Sequence, residues 1–199
     1  MAKRVLITTI WTSDAIKTVI LKISDIQEIF CLMEENPPKE KLEAFEDLKK
    51  SFERVIHVKE LRTSLYDVPI IMGDVIKKID QLHSEGDEIH VHISEGRKTL
   101  AFGLFFGAYL RREKVKGIYY VIREEKKLIS LPLSELSIND SKKDILKRII
   151  SGQDKEKIIK EMELGKSIIY KYLNELEQAG YITDGENLKI TELGRVMIL

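Results

Sequence analysis

Residues 4–131 alternate short β-rich segments with helical ones, and this order restricts the fold more than any other feature of the chain. Residues 4–10 read as a strand buried on both faces, because the apolar side chains run together instead of alternating. Ser13 and Asp14 can cap a helix that continues to about Lys22. Residues 27–33 read as a second strand. Asn36-Pro37-Pro38 then breaks the chain before a helix to about Phe52. Its Lys39, Glu40, Lys41, Glu43, Glu46 and Asp47 suggest a solvated outer face. Further strands are expected at 54–58, 88–93, 117–122 and 126–131. Helices are expected at 67–82, with Pro69 in the first turn, and at 97–112. Alternation at this spacing gives an α/β, Rossmann-like, mostly parallel sheet flanked by helices. Ligands of such sheets bind beyond the carboxyl ends of the strands, at the topological switch point. Two loops are the natural candidates, 8–13 after the first strand and 94–98 after the fourth.

The chain has 199 residues, 43% of them hydrophobic, enough for one α/β core and a small satellite domain. The apolar run at 100–110 is about half of a membrane span, and residues 5–10 are too short for a signal-peptide core. A soluble, cytoplasmic protein with no membrane partner is expected. The single cysteine, Cys31, lies in an apolar run and reads as a buried small hydrophobe with no disulfide partner. A high charged fraction with much Lys, Glu and Ile points to a heat-adapted source.

After Leu131-Pro132-Leu133 the pattern changes, which divides the chain into domains at 1–136 and 137–199. Ser141 can cap a helix at 142–150 and Asp154 one at 155–162. A third, at 166–178, is stopped by Ala179-Gly180. Residues 181–183 and 188–190 read as a hairpin across Asp184-Gly185-Glu186-Asn187, and Thr191 caps a last helix. Three short helices followed by a β-wing are the order of a small α+β winged helix-turn-helix. In the third helix, Ile169, Tyr172, Leu173 and Leu176 form one buried stripe. The opposite side presents Lys166, Ser167, Tyr170, Lys171 and Asn174, which can reach phosphates and base edges of double-stranded DNA. Residues 165–182 resemble the recognition helix and wing approach of many prokaryotic winged-helix regulators. Leu176-Glu177-Gln178-Ala179-Gly180 and Thr191-Glu192-Leu193-Gly194-Arg195 carry that resemblance. Residues 139–199 hold eleven Lys/Arg and eleven Asp/Glu, so DNA would be held by local clusters and not by a global field. A role in protein contacts or dimerisation stays open.

Ser94-Glu95-Gly96-Arg97-Lys98 joins the fourth strand to its helix. Gly96 permits a tight turn, the helix N-terminus favours an anion, and Arg97 and Lys98 add charge. This suits a phosphodiester or polar nucleotide; a turn with two solvated basic residues is the alternative. The spacing is neither the dinucleotide fingerprint nor a P-loop, so no NAD or ATP cofactor is indicated.

The strand–Ser-x-Gly-Arg-Lys–apolar helix arrangement resembles the ligand loop of CARF domains, the CRISPR-associated Rossmann-like sensors. His92 stands where Asn is common there, and Glu95 replaces a Gly, which puts a carboxylate near the proposed anion. Over nearly the full length, a CARF-like domain followed by a winged helix resembles the CRISPR-associated transcription factors of archaea. The resemblance implies a homodimer that serves antiviral defence and binds cyclic tetra-adenylate, as effector, across its two-fold axis. It implies ligand contacts from Thr9, Trp11, Thr12 and Ser13 and from Ser94, Gly96, Arg97 and Lys98. Trp11 can stack on adenine or pack internally. The helix over 100–110 is apolar all round and is expected to be buried on every side. Gly103 and Gly107 would allow close helix approach, either across a dimer or within the domain.

His90 and His92 share a strand face, but no third ligand lies near them, so packing is the expected role and no metal is assigned. His57 and His83 are isolated, and no nucleophile–base arrangement stands out. The chain reads as a cyclic-oligoadenylate-responsive dimeric transcription regulator. A ring nuclease, with Arg97 and Lys98 stabilising developing charge, and a dimeric adaptor without DNA are the alternatives.

Overall fold

The computed structural model describes residues 2–134, 138–184 and 188–198. The chain divides into two compact units, Met1–Leu133 and Ser134–Leu199. The expected boundary at 136/137 and the hairpin turn at 185–187 lie outside the described residues.

Among the described residues, the first unit holds a six-stranded sheet in the order β3-β2-β1-β4-β5-β6. Its strands are β1 (Arg4–Thr9), β2 (Ile26–Met33), β3 (His57–Arg62), β4 (Glu88–His92), β5 (Val115–Ile122) and β6 (Lys127–Leu131). All neighbours pair in parallel except β5 and β6, which form an antiparallel edge. The connecting helices are α1 (Asp14–Lys22), α2 (Lys39–Phe52), α3 (Val68–Ser84) and α4 (Lys98–Tyr109). Strand side chains alternate between two cores. Val5, Ile7 and Val91 pack with Ile71 of α3 and Leu104 of α4. Leu6, Ile29 and Met33 pack with Ile16 of α1 and Leu48 of α2. Both faces of the central strands are therefore buried, which is why their sequences read as unbroken apolar runs.

Several local expectations are corrected. The third strand begins at His57, not Arg54. Residues 54–55 form the turn that closes α2, where the amides of Val55 and Ile56 both donate to the Phe52 carbonyl. Ser13 stands at the α1 N-cap but makes no cap bond with its side chain. Lys41 is not on a solvated face: its ammonium is buried 2.5 Å from the Glu34 carboxylate. A buried ammonium is tolerated there because it is paired. Helix α4 ends at Tyr109, and a short 3-10 turn over Arg112–Lys114 precedes β5.

Helix α4 is not covered on every side. Gly103 and Gly107 face α3, where Ile71 and Val75 leave no room for a Cβ. Phe102 and Phe106, on another face, are 55% and 47% exposed, and Leu110 extends that stripe.

The second unit holds α5 (Asp140–Ile150), α6 (Lys155–Glu161), α7 (Lys166–Gln178), β7 (Ile182–Asp184), β8 (Leu188–Ile190) and α8 (Glu192–Val196). Asn139, not Ser141, caps α5 by accepting from the Lys142 amide. Asp154 and Thr191 cap α6 and α8. Ile145, Ile149, Ile158, Ile169, Leu173 and Leu176 form the core. β7 and β8 pair antiparallel.

Candidate functional site

The switch point falls between β1 and β4, neighbours from which the chain proceeds to opposite edges of the sheet. The loops after these two strands meet there. Gly96 has φ +75°, a conformation that only glycine adopts without strain. A Cβ on it would lie 3.3 Å from the Ile10 carbonyl oxygen and from Thr9 Cβ, so the fourth-strand loop packs directly on the start of the first-strand loop.

Arg97 and Lys98 are both exposed at the start of α4. Helix α4 presents its leading amides at the same place. The Arg97 guanidinium carbon lies 5.9 Å from the ring centre of Trp11 and 5.9 Å from that of Tyr66, within cation–π reach of both. Trp11 is 37% exposed and Tyr66 is 67% exposed. Tyr66 comes from the loop between β3 and α3, tied to α4 where the Thr99 hydroxyl donates to the Leu65 carbonyl at 2.7 Å. Beside this cluster, Ser94, Gly96, Lys98, Phe102 and Tyr120 line a cavity of about 640 Å³.

Three hydroxyls among the expected residues are turned inward. Ser94 Oγ accepts from the Val121 amide at 2.5 Å. Ser13 donates to the Asp47 carboxylate at 2.5 Å; the bonds from Lys17 and Ser13 hold that carboxyl below its ordinary range. Thr9 is buried beneath Gly96. Trp11, Thr12, Ser94, Gly96, Arg97 and Lys98 reach the surface wholly or in part, with the Ser94 oxygen engaged by the Val121 amide.

Glu95, the residue that departs from the CARF pattern, is only 1% exposed. One carboxylate oxygen accepts from the Thr12 amide at 3.1 Å and the Thr12 hydroxyl at 3.2 Å; the other pairs with Arg123 at 2.7 Å. Arg123 lies in the turn between β5 and β6. The carboxylate is thus neutralised inside the loop cluster.

His92, the other departure, is fully buried. Its Nδ1 lies 2.8 Å from Thr8 Oγ1, and the Thr8 hydroxyl donates to the Thr9 carbonyl. This arrangement assigns the ring proton to Nδ1. Burial, aided by the Arg123 charge, pushes the His92 pKa down to about 3. His90 contacts Glu88 through Nε2 and the Tyr119 hydroxyl through Nδ1. Among the described residues no group of three or more His, Cys, Asp or Glu could hold a metal.

In the second unit, Lys166, Ser167, Tyr170, Lys171 and Asn174 are all exposed on one side of α7, while Ile169, Leu173 and Leu176 face the core. The ammonium groups of Lys155 and Lys166 lie 5.3 and 5.8 Å from the Tyr170 ring centre.

Sequence reasoning missed Tyr66, Glu95 and Arg123 as members of the cluster. Tyr66 and Arg123 stand in loops distant in sequence with no motif around them. Glu95 was read only as a carboxylate near the proposed anion, because its partners Thr12 and Arg123 are distant in sequence.

The first unit is a Rossmann-like α/β domain whose exposed cationic and aromatic groups gather at the switch point. The chain belongs to the family described as HFX_2341_N:-like, N-terminal, which matches residues 7–126. No curated protein matches the sequence. Among solved structures, the fold is similar to that of protein VC1899 from Vibrio cholerae (10% identity, TM-score 0.55, 98% of this chain, 64% of that one). It is also similar to Can2 from Sulfobacillus thermosulfidooxidans in complex with cyclic tetra-adenylate (10% identity, TM-score 0.53, 98% and 63%). A third is Enterococcus italicus Csm6 bound to cyclic hexa-2'-fluoro-hexa-dAMP (11% identity, TM-score 0.53, 89% and 54%). The chain spans less than two thirds of each of these proteins. Among the described residues no helix is long and apolar enough to cross a membrane.

Proposed function

We propose that the protein is a dimeric transcription regulator of CRISPR-associated genes that responds to cyclic oligoadenylate, with cyclic tetra-adenylate as effector. The observation that carries this reading is the meeting of the two switch-point loops with Trp11, Thr12, Gly96, Arg97 and Lys98 at the surface. Backbone donors at the α4 N-terminus and the Arg97 and Lys98 charges suit phosphodiester oxygens. Trp11 and Tyr66 supply flat faces for adenine. Two fold relatives are described with cyclic adenine oligonucleotides, which supports the ligand class.

Two chains share one ring across a two-fold axis in this reading, as the CARF resemblance implies. The exposed stripe of Phe102, Phe106 and Leu110, beside the cluster, is apolar surface suited to a second copy of this chain. Residues 137–199 act as a winged helix-turn-helix, with α7 in the major groove and Lys166, Ser167, Tyr170, Lys171 and Asn174 facing DNA. Ligand binding between the first domains changes the separation of the paired α7 helices, and DNA affinity follows that separation.

The test is a titration of the purified protein with cyclic tetra-adenylate, followed by chromatography of the nucleotide and repeated with a promoter fragment. Intact bound nucleotide and altered DNA affinity support the proposal. Turnover of the ring would favour a ring nuclease. Nucleotide binding with no DNA binding under any condition would favour an adaptor.

A further inference from the structure

We infer that Glu95 and Arg123 are positioning residues of the nucleotide site, holding the first-strand loop in its binding shape without touching the ligand. The inference rests on the proposed cyclic tetra-adenylate site. Both Glu95 oxygens are occupied, one by the Thr12 amide and hydroxyl and one by Arg123. The carboxylate is almost fully buried, so it neither meets solvent nor has a lone oxygen to offer a ligand. A buried charge of this kind is sustained only by its partners, and removing one partner leaves the other in a poor environment.

The bonds made by Glu95 join three chain segments. Thr12 belongs to the loop after β1 and is the immediate neighbour of Trp11. Glu95 itself precedes Gly96, whose φ of +75° sets the turn that presents Arg97 and Lys98. Arg123 belongs to the turn after β5, and the Ser94–Val121 bond ties the same two elements a second time. One carboxylate therefore fixes the spacing between the aromatic arm and the cationic arm of the site. Fixing that spacing before the ligand arrives removes an ordering cost from binding. Arg123 also neutralises the Glu95 charge, so the positive potential of Arg97 and Lys98 is left to the ligand.

Trp11 is the chain's single tryptophan and sits at this junction, so its fluorescence reports the loop directly. The variants are Glu95→Gln, Arg123→Ala, the double variant and Arg123→Lys. Acrylamide quenching of Trp11 without ligand, thermal unfolding and titration with cyclic tetra-adenylate are measured on each full-length protein. Glu95→Gln and Arg123→Ala are expected to increase Trp11 quenching while the protein remains folded, and to weaken nucleotide binding by about tenfold. The double variant loses less than the sum of the two single ones, because both break the Glu95–Arg123 pair. Arg123→Lys restores the cation, and with it most of the affinity. Wild-type quenching and affinity in both single variants, or losses that add in the double variant, overturn the inference. If Glu95→Gln does not fold, Arg123→Ala and its Lys counterpart carry the test alone. If quenching responds in the variants but no form binds the nucleotide, the positioning role stands and the ligand assignment falls.

Discussion

Gly107 of α4 packs directly on Val75 of α3: a methyl group at position 107 would come 2.8 Å from Val75 Cγ1 and 3.2 Å from the Met72 carbonyl oxygen. Neither contact can relax by swinging a flexible chain end. Gly107→Ala is therefore expected to destabilise the protein by about 1–3 kcal/mol through overpacking. Urea denaturation of the variant checks this. The oligomeric state should not change, because this face of α4 is spent inside the domain.

The opposite outcome is expected for the exposed stripe. Phe102→Glu or Phe106→Glu changes a surface position, so the folded chain should lose no more than about 0.5 kcal/mol. Sedimentation equilibrium should nevertheless find the variant as a single 23.0 kDa chain, where the proposed wild-type dimer is expected at twice that mass. A dimer unaffected by both substitutions would move the interface elsewhere.

His92 makes stability depend on pH in a defined window. Its folded pKa of about 3 lies below the ordinary value of 6.5, so the unfolded chain takes up a proton first. The His92 contribution is complete above pH 6.5 and is lost as pH falls towards 3. Between pH 6.5 and 5 the loss should approach about 1.4 kcal/mol per pH unit. His90, also lowered by burial, contributes in the same window, so the His92 share is the difference between wild type and a His92→Asn variant. His92→Asn should flatten the slope, measured by denaturation at several pH values.

If α7 lies in a DNA groove, its lysines act through phosphates. Lys166→Ala and Lys171→Ala should each weaken promoter binding across sequences and reduce the slope of log affinity against log salt by about one. Fluorescence anisotropy over a salt series measures both. Asn174→Ala should instead alter sequence preference, since its amide suits a base edge.

The parallel sheet was legible because strands buried on both faces leave unbroken apolar runs, as in residues 4–9 and 26–33. The edge strand β3 was misplaced because its inward and outward residues mix, and the apolar Val55-Ile56 pair before it belongs to a turn. Gly96 announced itself through the backbone its turn demands. The exposed side of α7 followed from helical spacing around Ile169, Leu173 and Leu176. The facing of Gly103 and Gly107 could not be read, because an all-apolar helix carries no sign of which side meets its own domain. The inward turn of Ser13 and Ser94 was hidden for a related reason. A hydroxyl near a ligand loop and a hydroxyl bracing that loop look alike in sequence, and only the distant partners Asp47 and Val121 separate them.

The central claim is that two switch-point loops from two chains hold one nucleotide ring. Calorimetric titration with cyclic tetra-adenylate tests it most directly, because it reads affinity and stoichiometry together. The account predicts one ring per two chains, with binding lost in an Arg97→Ala/Lys98→Ala variant that remains folded and dimeric. No heat of binding to the wild type, or the same affinity and stoichiometry in the variant, would contradict it.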